Sequence, residues 1–306
     1  SVIPGVHGDS LVLRLLPSSQ NKRFVLENLG FVSDHLAMFR EWLAQPDGII
    51  LVTGPTGSGK STTLYSALAD CDRATERILT VEDPVEYHVD GVTQFQVHAD
   101  IGFTFPAALR AILRHDPDTI MIGEIRDPET AGIAVQASLT GHRVLSTLHT
   151  NDSATAFLRL SDMGVEPFLV GATVRGVMAQ RLVRRLCVHC SRPARAEEHL
   201  PEAARRSLQA SGIPEADWQF RHPVGCEHCN GTGYRGRVAI YEMLSATEEL
   251  RAVLSRSGVS HLDLLHAIEG QFRFLRDDGL IKAARGVTSV EEVFLITGSA
   301  VAAELA

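Results

Sequence analysis

Short unbroken apolar runs, more than alternating ones, organise this chain. Residues 49–53 (IILVT), 78–81 (ILTV), 119–122 (TIMI) and 144–148 (VLSTL) are four such runs. Between them lie helix-competent stretches at 60–69, 105–114 and 128–140. Buried strands alternating with helices predict an α/β fold with a mostly parallel sheet covered on both faces. A helix over 34–44 precedes the first strand. Upstream, Val2, Val6, Leu11, Leu13 and Leu15, with Gly8-Asp9 between, predict a hairpin whose second strand runs over 11–16. A lone hairpin is marginally stable, so its sheet is expected to be incomplete and the chain to be the C-terminal part of a longer protein. Residues 17–23, polar with Pro, Ser, Gln and Asn, predict a linker. Downstream, 167–186 reads as a long arginine-bearing helix and 248–297 as a final helical region.

Composition adds few constraints. The 306 residues are 44% hydrophobic and 22% charged, ordinary for a chain that buries a sizeable core. The net charge of −8 argues mildly against a protein that coats nucleic acid, although it leaves room for a local basic patch. No run of eighteen apolar residues occurs, so no spanning helix is expected, and the opening SVIPGVHGDS shows no signal peptide.

The sharpest motif is Gly54-Pro55-Thr56-Gly57-Ser58-Gly59-Lys60-Ser61, which fits GxxxxGK[ST] at every fixed position. It stands between an apolar strand and a helix-competent run that begins with Thr62 close by. In that context the glycines let backbone N–H groups converge on phosphate oxygens, and the helix presents its positive end. Lys60 would neutralise β/γ-phosphate charge, and Ser61 would ligate Mg²⁺. The bland alternative is a flexible turn before a helix. The loop alone implies nucleotide binding and says nothing of what the energy does.

Such a loop needs an acid at a neighbouring strand end. Glu124 closes the apolar strand TIMIGE and is the preferred water-activating base. Glu82 and Asp83 close another strand, with Glu86 three residues further. The alternative is that these acids are caps or loop charges. His142 and His149 flank the strand at 144–148 and could sense a γ-phosphate, though a single histidine is more often structural. Arg110 and Arg114 share a helix face, and Arg126 follows Glu124 by two. Guanidinium groups suit phosphate, but salt bridges to Asp116 or Asp118 explain them equally well.

Four of the five cysteines form two CxxC pairs, Cys187/Cys190 and Cys226/Cys229, separated by 35 residues. In a chain with no export signal this pattern indicates metal rather than disulfide. Four thiolates make a closed tetrahedral shell, hence a structural Zn²⁺ site. Each knuckle also holds a histidine, so Cys₃His is the alternative ligand set. Cys71 is left as a small buried residue. Between 167 and 196 there is no acid but six arginines, 175, 181, 184, 185, 192 and 195. That run could meet anionic lipid, nucleic acid or an acidic neighbouring subunit, or simply be a solvated helix face.

Taken together, GIILVTGPTGSGKSTTLY (48–65), ILTVEDPVEY (78–87), LRAILRHDPD (109–118), IMIGEIRD (120–127), LTGHRVLSTLHTND (139–152), QRLVRRLC (180–187) and GVTSVEEV (286–293) closely resemble the secretion ATPase superfamily, over nearly the whole chain and in order. The resemblance implies a RecA-like P-loop core using ATP and Mg²⁺. It implies an aspartate box at Glu82, Asp83 and Glu86, a Walker B element with catalytic Glu124, and a histidine box at His142 and His149. It also implies nucleotide-facing arginines at Arg110, Arg114 and Arg126, with Arg14 reaching phosphate from the preceding domain. The tetracysteine insert is similar to that of type II secretion E-type ATPases and pilus extension ATPases. Such proteins form hexameric rings that dock, through an N-terminal part, on an inner-membrane partner from the cytoplasmic side.

The expected domains are therefore the end of an N-terminal α+β domain (1–16), a linker (17–33), the ATPase core (34–186), a zinc subdomain (187–235) and a C-terminal helical subdomain (236–306). Two departures stand out. Leu295 occupies a place where such proteins usually carry Arg, and Arg143 a place where an apolar residue is usual. The expected function is ATP hydrolysis that drives pseudopilus assembly in type II secretion, with pilus extension as the alternative. A nucleic-acid motor and a low-turnover scaffold are the rivals from other classes. The −8 charge and 6% aromatic content weigh against the former, so no nucleic-acid partner is expected, and Glu124 weighs against the latter.

Overall fold

The computed structural model describes residues 2–12, 24–194, 200–256, 258–269 and 272–298. The chain opens with a hairpin of β1 (Val2–Ile3) and β2 (Ser10–Leu11), whose described residues are all exposed. The central part runs α1 (Ser33–Leu43), β3 (Gly48–Thr53), α2 (Lys60–Asp70), β4 (Ile78–Glu82), β5 (Thr93–Gln96), α3 (Phe105–Ile112), β6 (Thr119–Ile122), α4 (Pro128–Leu139), β7 (Arg143–Leu148), α5 (Ser153–Asp162) and α6 (Pro167–Thr173). It continues with β8 (Val174–Leu186), β9 (Arg192–Pro193), α7 (Glu202–Ala210), β10 (Arg221–His222) and β11 (Tyr234–Ser245). Four helices close it, α8 (Glu248–Leu254), α9 (His261–Ala267), α10 (Leu275–Ala284) and α11 (Val290–Thr297). No described helix is long and apolar enough to cross a membrane.

Seven strands form one sheet in the order β11-β8-β3-β7-β6-β4-β5. All neighbours are parallel except β11, which runs antiparallel to β8. Every residue of β3, β4, β6 and β7 is buried, as expected for strands covered on both faces. On one face Leu51, Val81, Ile122 and Val144 pack with Leu109, Val135, Phe157 and Leu250. On the other, Ile50, Val52 and Met121 pack with Phe39, Trp42, Leu64 and Leu68.

Three expectations are corrected. The helix predicted over 167–186 is only α6; from Val174 the chain is the strand β8, inserted between β3 and β11. The boundary at 235/236 falls inside β11, so residues 234–245 belong to the main sheet and not to a helical subdomain. Of the linker 17–33, residues 24–33 pack on the core: Leu26 is buried and the Phe31 ring stacks 4.1 Å from Tyr241. Residues 13–23, which include Arg14 and the remainder of the predicted second strand, lie outside the described residues.

Arg143, the unexpected charge in a buried strand, has ample partners. Its guanidinium pairs with Glu76, donates to the Leu43 carbonyl, and reaches Thr119 Oγ1 at 2.7 Å. It thereby joins β7, β6, the α1 C-terminus and the loop after α2. Removing one member of a buried pair strands the other. Arg143→Ala is expected to cost about 3 kcal/mol in urea unfolding. Replacing both partners with apolar residues should recover much of that loss. A single substitution that costs under about 0.5 kcal/mol would show the network to be ornamental.

Candidate active site

The phosphate loop follows β3, and α2 begins at Lys60. Its backbone conformation demands glycine. Gly59 has φ +93° and a Cβ there would lie 2.8 Å from Gln180 Nε2; at Gly54, φ is +148° and a Cβ would lie 2.5 Å from the Gln180 carbonyl. The N-termini of α3, α4 and α5 are capped by the side chains of Thr104, Asp127 and Asp152. No side chain caps α2. Its first N–H groups therefore remain available to an anion, where the helix dipole favours one.

Gln180, from β8, clamps the loop from below. Its Nε2 donates to Ser58 O at 2.7 Å and its Oε1 accepts from Thr63 Oγ1 at 2.9 Å. Ser58 Oγ is buried and finds no partner among the described residues. Lys60 folds back onto its own loop, with Nζ 2.8 Å from Gly54 O and 3.1 Å from Pro55 O. Burial lowers its pKa, and the Glu124 carboxylate offsets part of that shift. The Ser61 hydroxyl makes no hydrogen bond among the described residues, which leaves it free to ligate a cation.

Above the loop opens a cleft of about 460 Å³. Its walls bring together Thr56, Gly57, Gly59, Lys60, Ser61 and Thr62 with Glu82, Asp83, Glu86, Glu124, Arg126 and His149. Glu124 lies just past the end of β6. Arg126 Nε, at 2.6 Å, and His149 Nε2, at 3.3 Å, both meet its Oε2. Oε1 makes no hydrogen bond among the described residues.

The aspartate box divides into two roles. Glu82 is buried with both oxygens engaged: Oε1 accepts from Thr80 at 2.6 Å and Gln94 at 3.0 Å, and Oε2 accepts from the Tyr65 hydroxyl. That hydroxyl also accepts from the Glu86 and Tyr87 amides at 3.2 and 3.4 Å. Burial and the Glu82 charge raise the Tyr65 pKa, so it stays a donor. Glu82 is thus tied into the scaffold, and Asp83 and Glu86 keep their carboxylates free among the described residues.

Three expected members stand away from the cleft. His142 is at the opposite end of β7 from His149, about 23 Å away at ~3.3 Å per residue. Its Nδ1 lies 2.9 Å from the Ala137 carbonyl and 3.1 Å from Thr140 Oγ1, near the α4 C-terminus. Arg110 pairs with Glu129 on α4, and Arg114 donates to the Arg110 carbonyl at 2.7 Å; both are exposed and neither lines the cleft. Conversely, the cleft includes Tyr65, Leu182 and Arg237, to which the sequence motifs assigned no role.

The four paired cysteines meet at the far end of the β8–β11 ribbon. Their sulfurs lie within 4.8 Å of one another, Cys226 and Cys229 at 3.7 Å and the Cys187–Cys226 and Cys190–Cys229 pairs at 3.8 Å. That is too long for a disulfide and equals the edge of a tetrahedron with ~2.3 Å metal–sulfur bonds. Backbone amides of Gly225, Cys226 and Gly233 point at Cys190 and Cys229 sulfurs at 3.2–3.3 Å, as thiolate acceptors require. The residues fit a metal. Burial works against ionisation of Cys229, yet the Cys226 and Gly233 amides hold its pKa at about 6. His189 and His228 stack on each other at 4.1 Å and are not among the clustered ligand atoms. The group that could hold a metal is therefore the four sulfurs.

A curled glycine loop after an inner strand of a mostly parallel sheet, an uncapped helix behind it and an acid at the end of a strand two places along define a P-loop nucleotide-binding protein of RecA-like fold. The family described as type II/IV secretion system protein matches residues 1–295, and the chain belongs to it. It is 51% identical over 98% of its length to type II secretion system protein HxcR of Pseudomonas aeruginosa, covering 59% of that protein. With type II secretion system protein E of Aeromonas hydrophila it shares 49% over 97% of the chain and 58% of the relative. With the type IV pilus assembly ATPase PilB of Thermus thermophilus it shares 46% over 97% of the chain and 33% of the relative. The chain thus spans three-fifths or less of the length of these relatives. Among solved structures, the Legionella pneumophila ATPase DotB has TM-score 0.67 over 96% of this chain and 70% of that one. The pilus retraction motor PilT with bound ADP has 0.66 over 99% and 74%. Both are 24% identical, a likeness of fold.

The Gln180 clamp generates a test. Gln180→Ala removes two buried hydrogen bonds, worth about 1 kcal/mol each. Amide exchange of residues 57–60 is expected to accelerate about tenfold or more, with the sheet amides unchanged. Uniform acceleration across the sheet would instead mean that Gln180 supports the core and not the loop.

Proposed function

We propose that this chain is the ATP-hydrolysing motor part of a type II secretion system, driving pseudopilus assembly from the cytoplasmic face of the inner membrane. The observation that carries the reading is Glu124: one carboxylate oxygen is held by Arg126 and His149, the other has no hydrogen bond among the described residues, and the side chain lines the cleft that the phosphate loop also lines. ATP would lay its phosphates on the amides of the loop and the α2 N-terminus. Lys60 would leave the Gly54 and Pro55 carbonyls for the β/γ-phosphates. Ser61 would hold Mg²⁺, with Asp83 and Glu86 lining the same cleft; when bound, that ion would neutralise phosphate charge. Glu124 Oε1 would orient the attacking water, and His149 would fix the carboxylate and report on the γ-phosphate.

The far-standing residues suit an assembly. Arg110 and Arg114 are exposed on the α3 side and are offered to a neighbouring copy's nucleotide, as is His142. A homo-oligomeric ring, hexameric as in the family resemblance, would complete the cleft between subunits. The membrane platform would be met through parts beyond this chain. The 46% identity to PilB supports pilus extension as the second reading. Four thiolates at tetrahedral spacing are the residues that would hold Zn²⁺, which when bound staples the ribbon end and leaves no open coordination position.

ATP turnover measured over a range of protein concentrations tests the reading. Specific activity is expected to climb with concentration, because sites are shared. Glu124→Gln should retain ATP binding and lose turnover at least about 100-fold. Retained turnover in that variant would remove Glu124 from the chemistry. Stimulation by nucleic acid would favour the rival motor. Native protein is expected to carry one zinc per chain; Cys229→Ser should lose it and lower the melting temperature by about 5 °C. Absence of zinc from native protein would overturn the metal assignment.

A further inference from the structure

The cleft has one cation among the described residues with neither hydrogen bond nor ion pair. Lys60 is on the loop carbonyls and Arg126 is on Glu124. Arg237 lines the same cleft, is exposed, and its guanidinium has no partner among the described residues.

Its position is set by an irregularity in the strand pairing. Tyr234 pairs with Leu186, but Arg237 pairs with Arg184, so three steps on β11 match two on β8. One extra residue is accommodated there, with Gly236 at φ +79°. Side chains alternate faces along a strand, so an insertion of one residue reverses which positions face the cleft. Without the bulge, regular alternation would put Gly236 in the register Arg237 now holds.

The ribbon that carries Arg237 is tied to the phosphate loop. Gln180 of β8 holds Ser58, and Leu182 would touch a Cβ on Gly59 at 3.6 Å. In the sheet, β8 and β11 lie on one side of β3, and β7 and β6, which lead to His149 and Glu124, lie on the other. A nucleotide seated on the loop with its γ-phosphate toward Glu124 turns its other end toward the ribbon.

We propose that Arg237 is a nucleotide-binding residue that contacts the diphosphate–ribose part of the bound nucleotide, and that the β11 bulge exists to aim it there. The proposal rests on the nucleotide-binding reading above. Arg237 acts on binding and not on the bond that breaks, because it approaches from the side opposite Glu124. A guanidinium placed there strengthens ATP and ADP equally, since both carry the α- and β-phosphates.

The test compares Kd for ADP and for a non-hydrolysable ATP analogue, with kcat and KM for ATP, in wild type and in Arg237→Ala, Arg237→Lys and Arg235→Ala. Arg235 shares the bulge and does not line the cleft. Arg237→Ala is expected to weaken ADP and the analogue to the same extent, about tenfold, and to raise KM with kcat within about twofold. Arg237→Lys should recover part of the loss and Arg235→Ala should match wild type. A selective loss of kcat would overturn the proposal and make Arg237 a γ-phosphate group. Unchanged affinities in Arg237→Ala would overturn it outright, as would equal losses in Arg235→Ala, which would indicate a general charge effect. If wild type itself binds neither nucleotide, it is the underlying nucleotide reading that fails.

Discussion

A phosphate loop must keep its curl when no phosphate is present to hold it. Its glycines make the curl possible and also make it entropically costly, since an unligated glycine-rich segment has many alternatives. Here the restraint comes from outside the loop. Gln180 reaches from β8 to fasten Ser58 and Thr63, and the Gln180 backbone fills the space a side chain at Gly54 would need. Lys60 completes the curl by satisfying two loop carbonyls. Preorganisation of this kind spares the ordering cost at the moment of binding.

The same strand then has two duties. Its first half lies between β3 and β11, and its second half, paired with β11 alone, extends beyond β3 and ends at the four cysteines. Cys187 donates to the Gly233 carbonyl at 2.9 Å, so the sulfur cluster begins where the ribbon pairing stops. A two-stranded ribbon is marginal alone in water. A closed thiolate site at its tip and the clamp at its base are two fixed points, and between them Leu182 and Arg237 are held over the cleft.

Most of the parallel core was legible because its strands are continuous apolar runs and its loop motif stands in the required context. The β8 strand was not. Val174, Val177, Met178, Leu182, Val183 and Leu186 fall at nearly helical intervals, while residues 176–180 are buried on both faces and the strand shows no two-residue alternation. Its burial is conferred by β3, β11 and the packed helices, which one-dimensional spacing does not encode. The site was partly legible for a similar reason. His149 ends β7, which neighbours β3, and Glu124 follows β6, the next strand along, so the topology brings them together, whereas His142 begins the strand His149 ends. Two residues flanking one strand share a motif in sequence and are held apart by the length of that strand. Arg237 escaped notice because what aims it is a bulge, and a bulge is a property of a pair of strands.

Buried carboxylates make the same distinction between scaffold and chemistry. Glu242 of β11 accepts from Ser153 N and Oγ at 2.8 and 2.7 Å and from Leu275 N at 3.3 Å; burial raises its pKa while those donors oppose the rise. Asp278 of α10 takes Lys282 at 2.6 Å and the Tyr241 amide at 2.9 Å, with the His35 Nδ1 3.8 Å away and kept toward neutrality chiefly by burial. Each joins distant segments, β11 to α5 and α10 in one case and α1 to α10 and β11 in the other. A carboxylate saturated by protein donors has no lone pairs left for a metal or a water, as with Glu82. Asp278 Oδ1 also lacks a hydrogen bond among the described residues, but it is fully buried. Glu124 differs in lining the cleft with one oxygen fixed and the other unbonded. That combination of a held group with access to the cleft, more than its place at a strand end, is what separates a candidate catalytic acid from the structural acids around it, because positioning requires a held group and catalysis requires a free one within reach of its substrate.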